Sequence, residues 1–398
     1  MELNSPKLVI EINQYELFFL VSDIVDENKF NLIYSKKTQA DGIKDNQIIN
    51  HDLFLNNLKE NIFLIEKKLN HIFKEAIVIL NIFEHSIINL SSFKKLNGSQ
   101  LTKQNITYLI NSLRSIINEI EHTKKVIHIF NSNYKLDNKK TENLPIGLFG
   151  DFYSHELSFF LINTNDHKNL QNIFEKCNLK IKKIISKSFL DGINLIKDKI
   201  NLEEFFILEI KDNDSKLIYF DNNSLKFTQN FAFGMNLILS DISKITKLNK
   251  ESVKNILANL NFSNKNTNED FVEEVFFKSS SYRKIRKSLI LDIAKARIEE
   301  LAEIMIFKNR NNTSFLKKKA PIFLIVDDKE QIKILQKMFL STFSKENTFE
   351  TKLIPKLILE KYVNNVNILD QFGWKSEAVP IVQKKKSIIA RFFNFFFD

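Results

Sequence analysis

Two stretches far apart in the chain, 7–21 and 205–220, both read as strand, short polar turn, strand. That repetition constrains the fold more than any other feature, because it predicts two similar halves. In the first stretch, KLVIEINQYELFFLV, a β-branched apolar run meets an alternating one across a turn at Asn13–Gln14. In the second, strands at Phe205–Ile210 and Lys216–Phe220 flank a polar turn that contains Asp212 and Asp214. Helices and strands alternate along the rest of the chain. Leu55, Leu58, Ile62, Ile65, Leu69 and Ile72 recur at helical spacing and predict an amphipathic helix over 51–74. Ile106, Leu109, Ile110, Leu113, Ile116 and Ile117 predict another over 99–120, with Thr102 as its N-cap. Strands are expected at 76–82 (AIVILNI), 125–130 (KVIHIF), 180–186 (KIKKIIS) and 320–327 (APIFLIVD), and helices at 166–178, 236–260, 282–308 and 329–343. NLPIGLFGD at 143–151 reads as a turn, with a strand, FFLIN, after it. The alternation implies an α/β protein.

The 398 residues are enough for two or three domains, and 43% hydrophobic with 27% charged residues fits a folded soluble protein. The net charge of +10 favours acidic partners, anionic lipid among them. Heavy use of Lys, Asn, Ile and Phe beside 7 Gly and 5 Pro reads as the mark of an AT-rich genome, so the charge is not by itself a nucleic-acid surface. The basic stretch 281–297 holds only Tyr282 as an interleaved aromatic, which fits a solvated helix face better than a nucleic-acid platform. A single cysteine, Cys177, excludes an internal disulfide, fits a reducing cytoplasm and is expected to be inert. Glu2, Glu11 and Glu16 interrupt the N-terminal apolar residues, so no signal peptide is expected. No apolar run reaches the roughly 20 residues of a spanning helix.

The order of elements resembles the actin-like ATPase fold, and the motifs resemble those of FtsA. The family opens with an Asp-Ile-Gly phosphate motif; Glu11, Ile12 and Asn13 stand there. An inserted subdomain follows, whose Ile-Leu-His strand, Asp and Asn-Pro-x-Gly-Met-x-Gly turn are matched by Val126, Ile127, His128, Asp137 and NLPIGLFGD. The second phosphate motif, Asp-Ile-Gly-Gly-Gly-Thr-Thr-Asp, stands as Glu209-Ile210-Lys211-Asp212-Asn213-Asp214-Ser215-Lys216. FGMNLILSDI then supplies Gly234, Asn236, Ile238, Asp241 and Ile242, and a later helix supplies Ala296, Arg297, Glu299 and Glu300. The adenosine motif Leu-Thr-Gly-Gly-Gly aligns with Ile325, Val326, Asp327, Asp328 and Lys329.

The resemblance implies a two-lobed actin-like (ribonuclease H-like) α/β fold with an inserted FtsA-type subdomain and a C-terminal amphipathic helix. The first lobe is then expected at 1–75 and 166–200, the insert at 76–165, and the second lobe at 201–235 and 320–375. A further subdomain is expected at 236–319, and a linker with the terminal helix at 376–398. Stretch 345–375 matches no family pattern.

Actin-like folds hold ATP phosphates on two hairpin turns whose glycines let backbone N–H groups approach. Both turns here lack glycine, and Asp212 and Asp214 add negative charge. Asp327 and Asp328 stand where the adenosine needs close backbone approach. Glu11, Asn13, Glu209, Lys211, Asp212, Gly234, Asn236, Glu300, Asp327 and Asp328 are therefore expected to be remnants of a nucleotide pocket. Weak ATP and magnesium binding is the most they would retain. The competing reading is three ordinary polar turns. His128 is expected to be a core or strand-end histidine, and no metal site, catalytic residue or required cofactor is expected.

The tail KKKSIIARFFNFFFD places Ser387, Arg391, Asn394 and Asp398 on one narrow polar stripe of a helix. Ile388, Ile389, Phe392, Phe393, Phe395 and Phe396 cover the other side, and Lys384, Lys385 and Lys386 precede them. Such a helix is too short to span a bilayer and suits the interface of an anionic membrane; docking on the protein's own core is the alternative. With the resemblance, this predicts a membrane adaptor at the division site on the inner face of the cytoplasmic membrane. Its expected partners are the FtsZ C-terminal peptide, anionic lipid, further copies of itself and other division proteins. The competing functions are an active actin-like ATPase and a cytoplasmic pilus-assembly scaffold like PilM.

Overall fold

A computed structural model describes residues 5–26, 29–141, 143–198, 202–259, 271–277, 282–313, 320–326, 332–344, 350–355, 359–373 and 377. The chain divides into two compact units, Met1–Lys187 with Val363–Asp398, and Ser188–Tyr362.

The first unit opens with β1 (Lys7–Ile12), β2 (Glu16–Asp26), β3 (Lys29–Gln39) and the two-residue strands β4 (Ile43–Lys44) and β5 (Gln47–Ile48). Helix α1 (His51–Leu69) follows; the Asn50 side chain accepts from the Leu53 N–H at its start, and Asn70 ends it in the left-handed conformation. Phe54, Leu58, Ile62 and Ile65 form its buried face, while Ile72 lies beyond the cap and is exposed. Then come β6 (Glu75–Leu80), β7 (His85–Lys95), α2 (Lys103–Ile120), β8 (Lys124–Leu136), β9 (Lys139–Thr141), β10 (Phe152–Asn163), α3 (Thr164–Lys176) and β11 (Lys180–Ser186). Thr102 caps α2 through the Asn105 N–H. Ile106, Leu109, Ile110, Leu113 and Ile117 bury the predicted face of α2, whereas Ile116 is exposed.

Two sheets result. One has the order β3-β2-β1-β6-β11, with β1 antiparallel to β2 and parallel to β6. The other is a separate sheet, β7-β10-β8-β9, covered on one face by α2 around Tyr153, Leu157, Phe159 and Leu161. The expectation for an inserted subdomain began it at 76, but β6 lies in the first sheet against β1 and β11. The separate sheet begins at His85. The cause is non-local: 75–80 is an apolar run whose partners come from both ends of the unit.

The second unit begins in α4 (Lys187–Asp198) and continues with β12 (Phe205–Ile210), β13 (Ser215–Asp221), β14 (Ser224–Phe231), α5 (Met235–Thr246), α6 (Lys250–Asn259) and α7 (Lys287–Ala302). It adds β15 (Ile322–Val326), α8 (Lys333–Ser344) and β16 (Thr351–Leu353). The helix expected over 236–260 is two helices, because Lys247 turns left-handed after α5. The sheet order is β14-β13-β12-β15-β16, with β12 antiparallel to β13 and parallel to β15. Each unit therefore contains an antiparallel three-strand meander whose first strand also pairs in parallel with a later strand, in the same order. The two similar halves expected from the repeated hairpins are present.

The last helix, α9 (Leu359–Phe372), leaves the second unit and from Val363 groups with the first, whereas the sequence placed 320–375 together in the second lobe. Inside the first unit Asp370 of α9 binds Lys7 of β1 at 2.9 Å and Lys182 of β11 at 2.8 Å. The Asn367 side chain, fully buried, donates to Ser22 Oγ at 2.7 Å. Burial would raise the Asp370 carboxyl, but hydrogen bonds from Lys182 and Lys7 hold it below the ordinary range.

Candidate functional site

The two hairpin turns that carry the remnant motifs are built alike, one in each unit. Glu11 is the penultimate residue of β1 and Glu209 the penultimate residue of β12, and both are half-buried. In the first turn the Asn13 N–H donates to the Glu16 carbonyl at 3.2 Å; in the second the Lys211 N–H donates to the Asp214 carbonyl at 2.9 Å.

What fills each turn differs. Asn13 Oδ1 accepts the Tyr15 N–H at 2.9 Å and the Glu16 N–H at 2.8 Å. This is an Asx-turn, the use for which asparagine is favoured at such positions. Two amides of the first turn are thereby occupied by the turn's own side chain. In the second turn Lys211 Nζ lies between Glu209 (3.4 Å) and Asp214 (3.5 Å), so one cation is shared by two carboxylates and the turn keeps a net negative charge.

The start of α5 closes onto this second turn. The Met235 N–H donates to the Lys211 carbonyl at 2.9 Å, and the Asn236 N–H to the Asp212 carbonyl at 2.8 Å. The Asn236 side chain adds a bond to Asn213 Oδ1 at 2.8 Å. A helix N-terminus is a ready anion site when its first amides are open; here turn carbonyls take two of them. Gly234 makes the approach possible, because a Cβ there would sit 2.1 Å from the Lys211 carbonyl oxygen. Glycine thus survives at 234 for packing of helix against turn.

Glu300, on α7, comes together with Asp241 of α5 through Arg297. The Arg297 Nε donates to Asp241, and its Nη1 to Glu300 at 2.5 Å. The two motif stretches therefore meet in the second unit, and their carboxylates are engaged by an arginine one turn away on α7. Asp327 and Asp328 lie outside the described residues, as do Lys384, Lys385, Lys386, Ile388, Ile389, Arg391, Phe392, Phe393, Phe395 and Phe396. Among the described residues no helix is long and apolar enough to cross a membrane.

A buried histidine and a carboxylate outside the motifs meet in the first unit. His128 on β8 is 2% exposed, as a strand-core histidine should be. The Ser186 N–H donates to its Nε2 at 3.1 Å, which leaves the proton on Nδ1 for Glu377 Oε1 at 2.9 Å. Lys183 reaches the other Glu377 oxygen at 3.2 Å. Burial alone would raise the Glu377 carboxyl; the His128 hydrogen bond and the Lys183 charge outweigh it and hold it at about 2. Nothing in the sequence around 377 signalled this role, because its partner lies 249 residues away. Cys177 is half-buried, and burial pushes its thiol up to about 11, which keeps it protonated and unreactive at neutral pH.

Two five-stranded sheets of the same order, each with a hairpin turn facing a parallel crossover, define an actin-like fold. The solved PilM–PilN type IV pilus biogenesis complex shares it, with a TM-score of 0.52 over 87% of this chain and 90% of that one, at 11% identity. In sequence, the chain is similar to curated FtsA proteins at low identity. It is 21% identical over 332 residues to the cell division protein FtsA of Buchnera aphidicola subsp. Baizongia pistaciae, covering 79% of this chain and 76% of the relative. The FtsA of the Acyrthosiphon pisum subspecies is 21% identical over 307 residues, covering 75% and 72%. That of the Schizaphis graminum subspecies is 22% identical over 239 residues, 60% of this chain, and there the match spans only 57% of the relative's length. No family model matches the chain.

Proposed function

We propose that this chain is a cell-division membrane adaptor that links FtsZ filaments to the inner face of the cytoplasmic membrane and helps recruit other division proteins. It does so without efficient ATP turnover. The likeness to FtsA proteins supports the division role. The observation that carries the loss of turnover is the internal use of the turn amides. Asn13 occupies two in the first hairpin, and turn carbonyls occupy two at the start of α5. A triphosphate would have to displace these bonds and approach Asp212 and Asp214 without glycines to admit it. The pocket remnants Glu11, Glu209 and Glu300 then lack a phosphate to orient magnesium against.

Membrane attachment falls to the C-terminal segment. Lys384, Lys385, Lys386 and Arg391 supply attraction to anionic lipid, and Ile388, Ile389, Phe392, Phe393, Phe395 and Phe396 supply apolar area. Binding by one short helix is reversible, and self-association along the filament strengthens it by raising effective concentration.

Calorimetric titration of the purified chain with ATP and magnesium tests the nucleotide part. The expected dissociation constant is weaker than about 100 µM, roughly −5.5 kcal/mol. A low-micromolar value contradicts it and favours an active actin-like ATPase.

A further inference from the structure

The sheet of the first unit that begins at His85 has one face packed on α2 and another whose far end is exposed among the described residues. The register places Phe152 opposite Lys95, and it sets Phe93, Ser154, Lys135 and Lys140 in one row across four strands. Phe93 is 67% exposed and Phe152 48% exposed, and Lys95, Lys135 and Lys140 are exposed beside them. The neighbouring turn, zipped to 96–101 through backbone bonds, exposes Leu148 and Phe149 (71%) at the same end. Exposed aromatics in a row with lysines are not the ordinary composition of a solvated sheet.

We propose that this end of the sheet is a second membrane contact: a basic and aromatic surface that lies against anionic lipid headgroups. The proposal deepens the membrane reading above and rests on it. Charge decides the occupant. The three segments that build this end, 93–103, 133–142 and 146–152, hold six lysines against Asp137, Glu142 and Asp151. Asp137 is already engaged, its Oδ1 accepting the Asp151 and Phe152 N–H groups at 2.8 Å. A second copy would bring the same lysines face to face with themselves. An anionic bilayer offers diffuse negative charge for the lysines and an interfacial layer in which aromatic rings settle. Lys95 Nζ stands 5.9 Å from the Phe152 ring centroid, so a cation and a ring of this face approach a bilayer together. A face presented this way would also orient the chain on the membrane.

The test uses the full chain with Trp374→Phe and Phe152→Trp, so that residue 152 carries the only indole, mixed with phosphatidylglycerol–phosphatidylcholine vesicles and with phosphatidylcholine alone. The expected result is a blue shift and quenching by brominated lipid on the anionic vesicles only. Phe93→Ser with Lys135→Glu in the otherwise native chain should weaken pelleting with those vesicles about tenfold while thermal unfolding stays unchanged. Truncation at 383 separates the two ideas. If pelleting is lost on truncation while the indole of the full chain never shifts, the terminal helix is the anchor and the sheet surface is refuted. If the indole shifts in the full chain and truncation leaves pelleting unchanged, the sheet surface stands and the terminal anchor falls. An indole that shifts only when an acidic protein partner is added also overturns the lipid assignment.

Discussion

At the scale of single residues, Glu377 shows how a position with no motif holds a segment in place. Its carboxyl sits at about 2 against an ordinary 4.5, so the folded state favours the ionised form. A depressed carboxylate contributes stability that is complete above the unfolded value and is lost as pH falls from 4.5 towards 2. The shift corresponds to about 3 kcal/mol at neutral pH. Glu377→Gln should therefore destabilise the chain by about 1–3 kcal/mol at pH 7 and by much less at pH 3. Denaturant unfolding of both proteins at the two pH values checks this. A deficit that is constant with pH would mean that ionisation of Glu377 plays no part. His128 answers to the same geometry: its two ring nitrogens serve one donor and one acceptor in the strand core, as its sequence context suggested, and the identity of those partners came only with the fold.

At the scale of elements, the first hairpin is the sharpest case. Its turn carries an asparagine where the resembling family has glycine, and the Asx-turn supplies a structural reason for that residue. Asn13→Ala should remove the acceptor of two amides and cost about 1–2 kcal/mol, read by thermal unfolding. A neutral effect would show that water replaces the side chain freely. The same elements show what was legible beforehand. Strong periodic runs such as 106–117 and apolar runs such as 205–210 announced themselves, because one face or both are buried. Strands β3 and β14 gave no comparable signal: each is an edge strand, and KFNLIYSKKTQ ends in a polar run, SKKTQ, without regular alternation. Strand β7 was missed for a related reason, since it is only partly buried and Phe93 and Lys95 at its end are exposed among the described residues. The order of motifs put Glu11 and Asn13 at the first hairpin and Glu209, Lys211 and Asp212 at the second, and the structure has hairpins at both places. The bonds that close α5 onto the second turn could not be read from sequence, because they join α5 to residues 211 and 212 across β13 and β14.

At the scale of the whole molecule, each unit carries the same five-strand order, and the separate sheet is attached to the first. In each unit the turn after the first strand is bonded internally, by Asn13 in the first and by the Lys211–Asp214 backbone bond in the second. An adaptor needs the scaffold and its surfaces, and it can dispense with the phosphate cradle. The central claim is tested most directly by flotation of FtsZ filaments with phosphatidylglycerol-containing vesicles in the presence of the full chain. The expected result is that FtsZ floats only when the chain is present, to the same extent with and without ATP and magnesium, and that removal of residues 384–398 abolishes it. FtsZ that stays behind in the presence of the full chain, or that floats only when ATP is supplied, would contradict the account.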